Sequence, residues 1–235
     1  MGIDREKPQP VDHEVLAAVF QIRAERLTVL LWKRAREPHS GRWSLPGGGL
    51  GGGEDLVPSI RRQLAEKVDV RELTHLEQLV TRGEPDRRPD RRAIATTYLG
   101  LVPAHVDPGL PPDTRWHPTD QLPRMAFDHA ALVAAGIGRL RSKLSYTNLG
   151  FALAPPTFTM SELTGYYRAA LGRAVTSTNL QRILLRRDQI ERTGEATAPG
   201  RSGGRPAAVF CFRSTELEIT DPFAVLGPKR AGQPV

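Results

Sequence analysis

Residues 47–70 decide the fold and read GGGLGGGEDLVPSIRRQLAEKVDV. Six glycines come first and permit the close backbone approach that phosphate-cradling loops require. Asp55 can then cap a helix, and Pro58 falls in its first turn, where the missing proline N–H does little harm. Apolar residues recur every four positions and predict the buried stripe of that helix: Leu56, Ile60, Leu64 and Val68.

The spacing of charged residues in this stretch resembles the Nudix box. Five residues separate Gly48 from Glu54, and seven separate Glu54 from Arg62. The sequence WSLP at residues 43–46 directly precedes the glycines. In the family signature, Arg is followed by a Glu, then by a pair of Glu residues and a closing Gly. Here Gln63, Lys67 and Asp69 replace Glu, Glu and Gly, and only Glu66 remains.

The substitutions remove the negative charge that this helix face would carry. Positions 63, 66 and 67 lie three and four residues apart and share one face. Three carboxylates would give a formal charge of minus three and suit Mg²⁺ beside substrate phosphates. Here Gln63 contributes zero, Glu66 minus one and Lys67 plus one, which sums to zero. We therefore expect no catalytic residue and no firm metal site, with Glu66 as the only surviving metal-ligand candidate.

Composition limits the class of protein. The 235 residues allow one large or two small domains. The net charge of +7 and the pI of about 10.1 favour polyanionic partners. The single cysteine, Cys211, excludes an intramolecular disulfide framework and fits a reducing compartment. With no apolar run of membrane-spanning length and no signal-peptide core, we predict a cytoplasmic, nucleoid-associated protein with no membrane partner.

Apolar runs predict four strands around a charged loop. Residues 15–22 and 27–32 read as a hairpin, and residues 73–81 and 94–102 as two further strands. The loop between the latter two carries five arginines: Arg82, Arg87, Arg88, Arg91 and Arg92. Strand, charged loop and strand in this order resemble the ADP-ribose-hydrolase branch of the Nudix family, where such a loop lies near the diphosphate and ribose.

This resemblance implies a nucleotide site at the loop and the box. Its candidate ligand-binding residues are Arg34, Gly48, Gly49, Glu66, Lys67, Arg82 and Arg92. A further hypothesis is that the Lys67 ammonium replaces the metal, by contacting a diphosphate directly or by pairing with Glu66. The alternative is an active Mg²⁺-dependent ADP-ribose pyrophosphatase whose base is Asp107, Asp113 or Asp120. Residues 116–118 (WHP) and 126–129 (AFDH) match how the branch closes its domain; we interpret His129 as a hydrogen-bonding residue at the start of a helix over about residues 130–144.

The C-terminal third predicts a winged helix-turn-helix. After a short helix over residues 146–154, Thr159 and Glu162 form a capping box before a helix that ends at Gly172. A short turn leads to a second helix with a polar, basic front, followed by a strand, a basic glycine-rich loop and a strand. Between residues 150 and 213, nine arginines against three Glu and one Asp leave a surplus of five positive charges, which would attract phosphates.

The whole arrangement resembles the Nudix-related transcriptional regulators, the NrtR family. The fold class is then α+β, with a Nudix α/β/α sandwich (a mixed sheet between helices) followed by a winged helix-turn-helix. We place the effector domain at residues 10–144, the DNA-binding domain at 145–220 and a tail at 221–235. The resemblance implies a homodimeric repressor of NAD-biosynthesis genes on a roughly palindromic operator, with ADP-ribose or a related NAD derivative as effector.

The second helix supplies the candidate base-reading residues. Asn or Gln can pair with adenine and Arg with guanine in the major groove, and the candidates here are Thr178, Asn179, Gln181 and Arg182. Four arginines would mostly position phosphates: Arg186, Arg187, Arg201 and Arg205. A third hypothesis is a ligand-gated protein adaptor that makes no DNA contact.

Overall fold

A computed structural model of the chain describes residues 10–197 and 206–221. Within that part, the N-terminal domain is built on a seven-stranded sheet with the order β3-β2-β1-β6-β5, where β4 pairs with β1 and β7 with β2. Strands β1 and β6 run parallel and the other pairs are antiparallel, so the sheet is mixed. The strands are β1 Asp12–Arg23, β2 Arg26–Lys33, β3 Trp43–Ser44, β4 Gly47–Gly49, β5 His75–Arg82, β6 Ala93–Leu101 and β7 Thr114–Pro118.

Two helices cover the two faces of this sheet. Helix α1, Leu56–Val68, packs on one face, where its apolar stripe joins inward side chains of β1. Helix α2, His129–Tyr146, packs on the other. A Cβ at Gly136 of α2 would lie 2.8 Å from the Phe20 ring, so glycine lets the helix approach the sheet closely. The predicted sandwich is confirmed.

The C-terminal domain has the predicted winged-helix order. A 3-10 turn, Leu149–Ala152, follows α2 and leads to β8, α3, α4 and the hairpin β9–β10. The small sheet has the order β8-β10-β9. The elements are β8 Phe158–Thr159, α3 Met160–Leu171, α4 Ser177–Arg186, β9 Ile190–Ala196 and β10 Ala208–Phe212.

The junction differs from the predicted short helix over residues 146–154. Helix α2 continues to Tyr146, past the predicted end at residue 144, and only Leu149–Ala152 form a 3-10 turn. The reason is tertiary: the buried Asn148 side chain donates to the Glu216 carbonyl at 2.7 Å and accepts from the Glu218 N–H at 2.8 Å. These bonds fix the chain between the domains to the segment that follows β10.

One buried cluster continues across both domains. Leu140 and Leu144 of α2 belong to the same apolar cluster as Leu163 and Tyr167 of α3. Because the two domains share a core, a movement of α2 would shift the packing of the winged helix. In the described part of the chain, no helix combines the length and apolarity needed to cross a membrane.

Candidate functional site

The glycine strand β4 pairs with β1 and contacts side chains of α1. Gly47 has a φ of +144°, and a Cβ there would lie 2.1 Å from the Val15 carbonyl oxygen. A Cβ at Gly48 would lie 2.4 Å from Oε1 of Gln63 and 2.5 Å from Nζ of Lys67. Glycine is therefore required at Gly47, where the β1 backbone fills the space, whereas a side chain at Gly48 would have to displace the ends of Gln63 and Lys67.

Gln63 and Lys67 join α1 to this glycine strand. The Gln63 amide donates to the Gly49 carbonyl at 3.0 Å, and the Lys67 ammonium donates to the Gly47 carbonyl and to Oε1 of Gln63, both at 2.8 Å. The ammonium also lies 5.5 Å from the Trp32 ring centroid. Burial lowers the pKa of Lys67 below its ordinary value, and the nearby Arg62 charge adds to the effect.

Arg62 pairs with Glu54 and Glu66, the two carboxylates that remain in the box. Its guanidinium binds both oxygens of Glu54, at 2.5 and 2.7 Å, and Oε2 of Glu66 at 2.9 Å. The hydrogen bond from Arg62 lowers the pKa of Glu54 to about 2. Glu66 therefore pairs with Arg62 in this structure, and the part of the Lys67 hypothesis that paired Lys67 with Glu66 is wrong.

The box side chains do not fit a resident magnesium ion. Mg²⁺ needs oxygen donors in octahedral geometry and binds mainly through carboxylates. Here an amide and an ammonium line the glycine strand, and an arginine already binds Glu54 and Glu66. Among residues 10–197 and 206–221, no group of three or more His, Cys, Asp or Glu side chains is placed to hold a metal ion.

Two cavities share Phe127 in their walls. The smaller, about 40 Å³, is too small for a nucleotide as it stands, and its lining includes Arg34, Gly48, Arg88 and Phe127. The larger, about 550 Å³, is open, and its lining includes Arg82 and Phe127. Phe127 has a left-handed φ of +50°, and its ring lies 4.8 and 4.4 Å from the guanidinium carbons of Arg34 and Arg88. Cation–π contacts thus close the smaller cavity.

Glu14 is the residue that sequence reasoning missed. It lies buried on β1, where Arg87, Arg88 and Arg91 all pair with it. Burial opposes ionisation, but the hydrogen bond from Arg87 and the charges of the three arginines outweigh it, so the pKa of Glu14 lies below its ordinary value. An acidic residue beside the apolar run of a strand is a signal for Glu14 itself, but it does not identify the arginines that pair with it.

The predicted ligand residues are only partly brought together. Arg34 and Gly48 line the small cavity, and Lys67 contacts Gly47 and Trp32 beside it. The others are placed differently: Gly49 accepts from Gln63, Glu66 pairs with Arg62, Arg82 pairs with Glu84, and Arg92 donates to the Glu84 carbonyl. Glu14 lines the small cavity. Arg87 and Arg88, from the same loop, lie closer to Glu14 than Arg82 or Arg92 do, because both bind it.

The acids proposed as a base for an active enzyme have partners outside the box. Asp107 pairs with Arg23 and Asp120 with Arg26. Asp113 accepts a hydrogen bond from the Thr114 hydroxyl. None of the three lines either cavity at Phe127.

His129 is a hydrogen-bonding residue, as predicted. Its Nδ1 accepts the Leu45 backbone N–H at 3.0 Å, which leaves Nε2 to carry the proton of the neutral ring. Burial lowers the pKa of His129 to about 4. Leu45 lies in the connection between β3 and β4, so His129 holds the start of α2 against the residues that precede the box.

Helices α3 and α4 form the helix-turn-helix. Thr159 and Glu162 cap α3 reciprocally, and Gly172 ends it at a left-handed φ of +63°. Helix α4 buries Leu180 and Leu184. Its opposite side carries the predicted base-reading set, of which Thr178, Asn179 and Arg182 are exposed and Gln181 is half-buried. Arg182 donates to Oδ1 of Asn179 at 2.8 Å, which holds the two side chains together on the surface.

The predicted phosphate contacts divide into three groups. Arg186 is exposed at the end of α4. Arg187 donates to the Ser145 carbonyl at 2.8 Å and pairs with Asp221, so it ties α4 to the end of α2 and is already engaged. The phosphate contact of Arg187 stays a prediction, and it would require the guanidinium to leave these partners. Arg201 and Arg205 lie outside the described residues, as do residues 222–235 of the predicted tail.

Comparisons with known proteins match both halves of the chain. Residues 12–135 match the NUDIX domain, and residues 150–212 match the NrtR DNA-binding winged helix domain. The crystal structure of Shewanella oneidensis NrtR is 31% identical, with a TM-score of 0.73 over 86% of this chain and 94% of that one. The chain belongs to the NrtR family.

Two further crystal structures of the Shewanella protein contain a ligand, and a sequence relative is named as ADPR responsive. Shewanella oneidensis NrtR complexed with a 27mer DNA has a TM-score of 0.71 and 31% identity, over 85% of this chain and 93% of that chain. The NUDIX domain of the same protein, complexed with ADP ribose, has a TM-score of 0.50 and 30% identity, over 58% and 93%. The "ADPR responsive transcriptional repressor NtrR" of Acinetobacter baylyi is 28% identical over 217 residues, 87% of this chain and 83% of the relative.

Proposed function

We propose that this NrtR-family chain is a DNA-binding transcriptional repressor that responds to ADP-ribose or a related NAD-derived nucleotide. The observation that carries the proposal is that one helix, α2, begins at an arginine-rich pocket and ends against an exposed basic helix-turn-helix. The Acinetobacter relative, named as an ADPR-responsive repressor, and the Shewanella DNA complex support the same assignment. The genes it represses would be those of NAD biosynthesis.

The ligand site in this proposal lies at Phe127. A nucleotide diphosphate would meet the cationic residues around the two cavities there: Arg34, Arg82, Arg87 and Arg88. Guanidinium groups form paired hydrogen bonds with phosphate oxygens. Because the smaller cavity holds only about 40 Å³, the ligand would enter by displacing Arg88 or Phe127.

In this proposal the Nudix domain binds and does not hydrolyse. Gln63 cannot serve as a general base, and Lys67 and Arg62 supply the positive charge beside the box carboxylates. No metal cofactor is required. If purified protein releases AMP from ADP-ribose with Mg²⁺, and Glu66→Gln abolishes that turnover, the alternative of an active pyrophosphatase is correct.

The DNA complex would be a homodimer on a roughly palindromic operator. A two-fold protein dimer binds two half-sites that mirror its symmetry. Thr178, Asn179, Gln181 and Arg182 would face base edges, and Arg186 a phosphate.

The test is a gel-shift titration with promoter DNA of NAD-synthesis genes at two salt concentrations. We expect a specific shift that weakens with salt and that changes when ADP-ribose is added, measured beside NAD and nicotinamide mononucleotide. Absence of a specific shift would contradict the repressor. A DNA complex that is indifferent to all three nucleotides would contradict the effector assignment alone. Unchanged DNA migration together with a reproducible protein partner would favour the adaptor hypothesis.

A further inference from the structure

The ion pair between Arg87 and Asp128 connects the nucleotide pocket to helix α2. Arg87 binds Oε2 of Glu14 on β1 at 2.9 Å and Oδ1 of Asp128 at 2.9 Å. Its side chain is only 1% exposed, yet Arg87 and Asp128 both lie in the wall of the open cavity. A buried guanidinium of this kind needs its anionic partners, because an unpaired buried charge is strongly unfavourable.

Asp128 is the residue immediately before α2, in the position of its N-cap. An aspartate there ordinarily accepts hydrogen bonds from the first N–H groups of the helix. Here the Asp128 side chain makes no capping bond, since both of its oxygens receive Arg87. The His129 and Ala131 N–H groups already bond to the Ala126 and Asp128 carbonyls, so the alternative to the Arg87 guanidinium is the Ala130 N–H in the first turn of the helix.

Helix α2 carries any change at Asp128 to the DNA-binding domain. Its 18 residues span about 27 Å at about 1.5 Å per residue. At the far end, Arg141 donates to the Ala170 carbonyl on α3 at 3.2 Å, and the Ser145 carbonyl receives Arg187 from the end of α4. The Tyr146 carbonyl receives the Thr220 N–H at 2.9 Å. Both helices of the helix-turn-helix therefore bond directly to α2.

We propose that the Arg87–Asp128 pair is the switch through which a bound diphosphate changes DNA affinity. A phosphate that takes Arg87 leaves Asp128 without its cation, and the freed carboxylate turns to the Ala130 N–H in the first turn of α2. The first turn of the helix then shifts, and the shared core transmits the shift to α3 and α4. Asp128 is a positioning residue in this scheme. The inference rests on the proposed function, because it assigns the regulation of the same site.

The variant that tests it is Asp128→Asn, which keeps the shape and a capping oxygen but removes the charge that competes for Arg87. The matched control is Glu84→Gln, which removes one carboxylate paired with Arg82 in the same cavity; within residues 10–197 and 206–221, the Glu84 side chain makes no hydrogen bond to α2. For each protein, DNA dissociation constants are measured with and without saturating ADP-ribose, and ADP-ribose binding is measured by calorimetry. The ratio of the two DNA constants is the coupling, typically about 5- to 150-fold in allosteric proteins.

We expect the coupling ratio of Asp128→Asn to fall towards one while ADP-ribose binds at least as tightly as to wild type, since no carboxylate competes for Arg87. Glu84→Gln is expected to keep the wild-type ratio. A wild-type ratio in Asp128→Asn, or an equal loss in Glu84→Gln, would overturn the switch while leaving the proposed function intact. A ratio of one in wild type would instead overturn the effector function itself.

A second measurement uses wild-type protein and does not depend on the variant folding. Amide hydrogen exchange reports local opening of a helix turn. ADP-ribose is expected to change protection at residues 129–132, the first turn of α2, in addition to the pocket residues. Protection that changes only in the loop over residues 82–92, with the first turn of α2 unaffected, would refute the switch.

Discussion

The ammonium of Lys67 lies 2.8 Å from the carbonyl oxygen of Gly47 and joins the last turn of α1 to the glycine strand. Together with Gln63, it puts a positive charge and an amide where the signature places two carboxylates. A fixed internal cation can hold the loop and helix together without a metal ion, and the loop is thereby kept in one conformation.

Restoring the acidic face should therefore restore cation binding. In Gln63→Glu/Lys67→Glu, the face of positions 63, 66 and 67 regains three carboxylates, and we expect Mg²⁺ binding by calorimetry that wild type lacks. Gln63→Glu alone is the control, since Lys67 would neutralise the new carboxylate. Equal Mg²⁺ binding by wild type and the double variant would contradict our interpretation of the box.

The closing residue of the box gives a test of stability. Asp69 caps α1 with a left-handed φ of +51°, where a side chain costs a non-glycine residue about 1 kcal/mol. Its pair with Arg71 is exposed and contributes little. Asp69→Gly should raise the free energy of unfolding by about 0.5 kcal/mol after the entropic loss of glycine, measured as a urea midpoint. Asp69→Ala should lower it, and a gain from alanine would show that φ is not the cause.

Local patterns predicted the elements well, whereas tertiary pairings were out of reach. The four-residue apolar period placed α1 over Leu56–Val68, and the capping box placed the start of α3. Strand β7 was missed because its five residues have no strong alternation and are recognised only by pairing with β2. The Glu14–arginine cluster depends on β1 lying beside β6, since that register brings residue 14 to the loop before β6. The sequence of an arginine-rich loop predicts exposed side chains, and no local pattern predicts that Arg87 is more buried than Arg92.

Acid should destabilise the protein through His129. Burial lowers the folded pKa from 6.5 to about 4, so the unfolded chain binds the proton first as pH falls. The stabilisation is complete above pH 6.5 and is lost progressively towards pH 4, by up to about 3 kcal/mol. His129→Asn retains an oxygen near the position of Nδ1 and should unfold with a flatter pH dependence between pH 7 and 5, measured by urea midpoints. An unchanged slope would exclude His129 as the cause.

Arg182 should contribute to the choice of DNA sequence. It is exposed on α4, and its guanidinium donates a hydrogen bond to Asn179, a second candidate for base contact. Arg182→Ala is expected to cost about 1–3 kcal/mol on the operator and little on unrelated DNA. Competition gel shifts with single-base operator variants measure the effect. A loss that is equal on all sequences would mean that Arg182 contacts only phosphate.

Arg186 and Arg187 are neighbours in sequence with opposite expected roles. Arg186 is exposed, so Arg186→Ala should weaken binding to all DNA and reduce the salt slope by about 1. Arg187 is bound to the Ser145 carbonyl and Asp221, so Arg187→Ala should lower the free energy of unfolding by about 1–3 kcal/mol, because it removes the hydrogen bond to Ser145 and the ion pair with Asp221. Urea unfolding and the salt dependence of DNA binding are measured on both variants. A stable Arg187→Ala with the salt slope reduced by about 1 would show instead that Arg187 contacts a phosphate, since a purely structural residue releases no counterions from DNA.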